Sequence, residues 1–179
     1  MDATIGVTPQ SFYGLFAGLF LMAPITAAAH PDGAPWGSAD DGAACVNCHF
    51  DGDVVSPSPT ITIKNAPSTV SPGALYEFIL QFEKGSAPIA GFLAAAKVNG
   101  APAGAFQTES NALQTNGAEI RSTATLKRDG PATWTLKWQA PNAVAGPVTM
   151  HVAATAGNDD LSPFGDTVHY TTISISNAP

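Results

Sequence analysis

Charge is scarce in this chain. Of its 179 residues only 12% are charged, seven of them Lys or Arg, and none of those seven precedes Lys64. A net charge of −7 carried on so few cations argues against nucleic acid, whose binding rests on neutralising phosphates. Cysteine is scarcer still: Cys45 and Cys48 are the only two. That excludes a disulfide-dense scaffold and a four-cysteine zinc site. Long apolar runs are missing outside residues 12–29, so no second membrane-crossing segment is expected. Nor is there a Ser/His/Asp order, a nucleophile elbow or a phosphate loop, and four histidines scattered over the chain make no triad. The sequence offers no basis for a hydrolase.

What is present centres on Cys45-Val46-Asn47-Cys48-His49. Two thiols three positions apart, followed directly by an imidazole, form the c-type haem attachment signature. Each thiol can bond one vinyl group, and His49 can then bind the iron as proximal ligand. A small disulfide, a redox dithiol and half of a zinc site are the competing readings of Cys45 and Cys48. A zinc site wants further ligands, and a thioredoxin-like motif wants a βαβ setting that this chain lacks.

Residues 12–22 form an apolar run of signal-peptide length, closed by Pro24 and followed by a small-residue site at Ala27-Ala28-Ala29. The expected division is a signal peptide over 1–29, a haem-binding arm over 30–59 and a β-sandwich over 60–179. Asp2 with no early cation is unusual for a signal. Export, to the periplasm or the cell surface, is expected, with no transmembrane anchor once the signal is cleaved after Ala29. The arm is rich in Gly, Pro and Asp and has no sustained periodicity, beyond a short helical turn around the cysteines.

From Thr60 onward the pattern is strand-like. Tyr76, Phe78, Leu80 and Phe82 alternate along one face, as do Trp134, Leu136 and Trp138. With further candidate strands over 61–63, 91–98, 117–126, 148–154 and 167–176, separated by Gly, Pro and Asn turns, the expectation is an all-β, immunoglobulin-like antiparallel sandwich of about eight strands.

From about Leu75 to the C-terminus the landmarks resemble the bacterial reelin-type (Reeler-like, choice-of-anchor) β-sandwich domain. They are Gly91-Phe92, Gly104-Ala105-Phe106, the run from Trp134 through Trp138 to Ala140-Pro141, Gly146-Pro147-Val148, Ala153-Ala154, and Gly165-Asp166 leading to Tyr170-Thr171-Thr172. The resemblance implies an exported haem-binding or adhesion-like module, often with a C-x-x-C-H motif just ahead of the sandwich. It implies no defined reaction.

For the sixth iron ligand the candidates are His169 and His151. A hairpin pairing Ala153 with Thr167 puts the two imidazoles opposite each other on one face, although a slip of one residue would separate them. Met150 falls on the core face, where it is expected to be packing. His30, the expected mature N-terminus, is a mobile terminal residue that its tether could still bring to the haem. Asp51, Asp53, Asp159, Asp160 and Asp166 read as solvated turn residues without a calcium-loop pattern.

These observations lead to an exported monohaem c-type cytochrome, one covalent haem c on Cys45, Cys48 and His49, that carries single electrons and reads more as an electron carrier than as an enzyme with a substrate pocket. Redox proteins of the cell envelope are its expected partners, with self-association left open and nucleic acid excluded. A surface binding or adhesion sandwich whose cysteines pair, and a haem-based sensor, are the alternatives.

Overall fold

The computed structural model describes residues 1, 33–39, 43–46, 48–49, 54–127 and 129–178. The expected signal peptide, its cleavage site and His30, Asp51 and Asp53 lie outside the described residues. Among the described residues no helix is long and apolar enough to cross a membrane.

Among the described residues one short helix, α1 (Ala43–Val46), precedes twelve strands. In chain order these are β1 (Ile61–Lys64), β2 (Thr69–Val70), β3 (Leu75–Phe82), β4 (Ile89–Val98), β5 (Ala101–Pro102), β6 (Ala105–Gln107), β7 (Leu113–Asn116), β8 (Glu119–Ser122), β9 (Leu126–Lys127), β10 (Ala132–Gln139), β11 (Val148–Gly157) and β12 (Thr167–Asn177). They form two layers. A four-stranded sheet runs β1-β3-β10-β6, and a larger one runs β2-β12-β11-β4-β8-β7, with β5 and β9 also paired to β4. The all-β sandwich expected from the alternation is therefore present. It has more strands than expected because three of the twelve are two-residue edge pieces, too short to leave a periodic signal. The stretch read as one strand over 117–126 is two, β8 and β9, separated by a bend.

The two aromatic stripes meet across the smaller sheet. Antiparallel register pairs Trp134 with Leu80, Leu136 with Phe78 and Trp138 with Tyr76. All but the half-buried Tyr76 are at most 7% exposed. Facing them from the larger sheet are Phe92, Ala94 and Ala96 of β4 and Met150, Val152 and Ala154 of β11, which share one core cluster. Ala94, Ala95 and Ala96 lie in a strand despite their helix propensity, because both faces of β4 are covered and small side chains let the layers approach. Met150 is core packing, 2% exposed.

The larger sheet buries part of its outer face as well. There Leu93 and Ala95 pack with Ala39, Ala34 and Trp36 of the N-terminal arm. Two β8 side chains hold that arm down. The Arg121 guanidinium lies 4.2 Å from the centre of the Trp36 ring and donates to the Ala34 carbonyl oxygen. Glu119 accepts the Gly37 amide with both carboxylate oxygens, at 2.9 and 3.1 Å. Gly33 is the point of closest approach. Its φ is +98°, and a Cβ there would sit 2.5 Å from the Ser122 carbonyl oxygen. The return of the arm is held too: Val55 exchanges backbone hydrogen bonds of 2.9 Å with Val168 and Tyr170 of β12.

Candidate haem site

A single helical turn shapes the motif. The amides of Cys48 and His49 both donate to the Cys45 carbonyl oxygen, at 3.1 and 3.0 Å. Positions i, i+3 and i+4 of a helical turn share one face, so both thiols and the imidazole point the same way. Each is partly buried. No disulfide joins Cys45 to Cys48.

That face opens on a cavity of about 600 Å³ lying between the arm and the outer face of the larger sheet. Its floor is the first half of β4 and the last half of β11, including Gly91, Leu93, Ala153 and Thr155, and its walls are mostly apolar. Cys45, Cys48 and His49 line it from the arm side, and residues 158–162 close one end. At the rim Lys127 pairs with both carboxylate oxygens of Asp159 at 2.8 Å. The size falls within the range of about 300–1,000 Å³ common for cofactor sites. The arm, which gives no periodic signal, folds back over the sheet and forms one side of this cavity.

The His49 ring is oriented from behind. Its Nδ1 lies 2.7 Å from Asp166 Oδ2. An ionised carboxylate only accepts, so Nδ1 carries a proton in this bond, and in the neutral ring Nε2 keeps its lone pair. Asp166 is 6% exposed. Its other oxygen accepts the Asn158 amide at 3.1 Å. The reading of Asp166 as a solvated turn residue is therefore wrong. No local pattern marks it, because its partner lies 117 positions earlier in the chain.

His151 and His169 are not brought together. The register pairs Ala153 with Tyr170, His151 with Thr172 and Ala154 with His169. This differs from the expected hairpin by three residues, an odd number, so the two imidazoles lie on opposite faces of the sheet. His169 is on the core side. Its Nδ1 hydrogen-bonds Ser58 Oγ at 3.0 Å and Thr60 Oγ1 at 3.1 Å, and its ring meets Phe82 edge-on at 4.9 Å. Burial pushes its pKa below the usual 6.5. His151 shares the cavity's face but bonds Tyr170 Oη through Nδ1 at 2.7 Å. It lies two residues along β11 from the cavity-lining Ala153, about 7 Å at the rise of an extended strand. Neither lines the cavity. Among the described residues that do, His49 is the one imidazole, and none is a methionine.

No protein-family model and no curated protein matches the sequence. The fold does have solved counterparts. The human F-spondin reeler domain superposes with a TM-score of 0.52 at 15% identity, over 71% of this chain and 95% of that one. A second structure, the Reelin-N domain of F-spondin, gives the same TM-score and identity over 75% of this chain and 98% of that one. The sandwich is reeler-like. At this identity the likeness speaks to fold alone, and it agrees with the landmarks read from Leu75 onward. Asp166, Asn158 and the outer-face residues of β4 and β11 are among the residues of the reeler-like sandwich that reach the candidate site.

Proposed function

We propose that the chain is an exported monohaem c-type cytochrome that carries single electrons at the cell envelope. Cys45 and Cys48 would hold haem c through thioethers, and His49 Nε2 would bind the iron. One observation carries the reading: a helical turn aims both thiols and an imidazole with its Nε2 lone pair available at an apolar cavity large enough for a cofactor. Disulfide and dithiol readings account for the cysteines but not for the buried carboxylate behind His49 or for the cavity. A bound haem supplies the one-electron iron couple, and the protein sets its potential through ligands, hydrogen bonds and burial. Apolar walls limit water at such a site, and the electrons would be exchanged with redox proteins of the envelope or with further copies of the chain.

The test is the absorption spectrum and mass of protein matured with the haem-attachment machinery. Haem absorption that survives acid–acetone extraction, with the added mass of one porphyrin, is expected. A colourless protein of unmodified mass overturns the reading and leaves the binding or adhesion sandwich. A sensor that binds small molecules at the iron is the second reading. It is favoured by the lack of a second imidazole or thioether among the described cavity residues. Carbon monoxide binding by the reduced protein separates it from a six-coordinate carrier.

A further inference from the structure

We propose that Asp166 is the positioning residue of the iron-binding imidazole: it fixes the tautomer and direction of His49 and, through its charge, biases the bound iron toward the ferric state. This deepens the haem reading and rests on it.

A carboxylate that is 6% exposed is costly unless its oxygens are matched. Both are. Oδ1 takes the Asn158 amide at 3.1 Å, and Oδ2 takes His49 Nδ1–H at 2.7 Å. The first bond alone would suffice to close the β11–β12 loop. The second reaches across the molecule to the residue that follows both cysteines. The mount is rigid, since Asn158 directly follows β11 and Asp166 directly precedes β12, two strands in continuous register. Between them the loop is tied by Asn158 Nδ2 to the Phe164 carbonyl oxygen at 3.0 Å and by the Ser162 amide to Asp160 Oδ1 at 2.8 Å. Gly157 leaves the room: a Cβ there would lie 3.2 Å from Asp166 Oδ1 and 2.9 Å from the Ile89 side chain.

Metal-binding histidines that donate their other ring N–H to a carboxylate are held in one tautomer and give more electron density to the metal. Greater donation favours the higher oxidation state, so the wild-type potential is expected to be lower than that of a form lacking the charge. Loss of such a partner typically changes metal affinity by about 10–100-fold. A tenfold loss of ferric preference corresponds to about 59 mV for a one-electron couple.

The experiment compares matured wild type, Asp166→Asn and Asp166→Glu by covalent haem content, circular dichroism and redox titration. Asp166→Asn keeps an acceptor for the Asn158 amide but removes the charge. It is expected to retain covalent haem and to titrate at least about 59 mV more positive, a tenfold effect. Asp166→Glu restores the charge and is expected to fall between the two. Covalent haem in all three at one common potential overturns this inference and leaves the haem reading standing. Wild type without covalent haem overturns both. If Asp166→Asn fails to fold, wild-type ferric protein still decides by NMR: a His49 Nδ1 proton protected from solvent exchange supports the pairing, and a rapidly exchanging one overturns it.

Discussion

At the scale of single residues, the chemistry rests on side chains whose partners are far away in sequence. The cysteine pair is the exception. Replacing Cys45 and Cys48 together by Ala is expected to abolish covalent attachment, so that acid–acetone strips all colour, while the circular dichroism of the sandwich persists. His169 shows the other case. It is a half-buried imidazole between two hydroxyls and a phenyl ring, and desolvation lowers its pKa below 6.5. The unfolded chain therefore takes up this proton at a higher pH than the folded one. Stability is complete above about pH 6.5 and falls as the pH drops toward the lower folded-state pKa. Urea midpoints at several pH values should show this loss in the wild type and a smaller one in His169→Asn, which keeps a polar partner for Ser58 but does not titrate. Gly104 is a second such residue. Its φ is +69°, and a Cβ there would collide with the Gln139 carbonyl and the Trp138 indole, whose Nε1 donates to Ala103 O at 3.1 Å. Gly104→Ala is expected to lower stability by about 1–3 kcal/mol, read as a shifted denaturant midpoint.

At the scale of elements, strand periodicity was readable and strand register was not. The alternation of Phe78, Leu80 and Phe82 and of Trp134, Leu136 and Trp138 identifies buried faces because a half-buried strand repeats every two residues. The β11–β12 hairpin has no tight-turn signature. Its long loop is organised by side chains on backbone amides, so the three-residue shift that separates His151 from His169 had no local marker. A consequence follows for the haem: His169→Asn is expected to leave the absorption spectrum of the matured protein unchanged, since His169 lies on the core face. The arm is an element of a different kind, held by β8 rather than by its own pattern. Arg121→Ala removes the stacking on Trp36, worth about 0.5–1 kcal/mol at an exposed site, and the bond to the Ala34 carbonyl oxygen. Limited proteolysis is expected to cut the arm sooner in this variant without lowering the thermal midpoint of the sandwich by more than a few degrees.

At the scale of the molecule, a reeler-like sandwich carries on its outer face an arm that a globular core does not need. Burial of Leu93 and Ala95 under Ala39 and Trp36 holds the arm against the sheet beside the cavity, and the hairpin loop supplies the carboxylate behind His49. The sequence alone shows the C-x-x-C-H spacing, the all-β class and the two aromatic stripes. Each is written in residues within a few positions of one another, where covalent spacing and a two-residue repeat suffice. The cavity, the separation of His151 from His169 and the pairing of Asp166 with His49 depend on contacts between distant segments. Packing of the arm and strand register choose those contacts, and neither leaves a periodic trace in the chain.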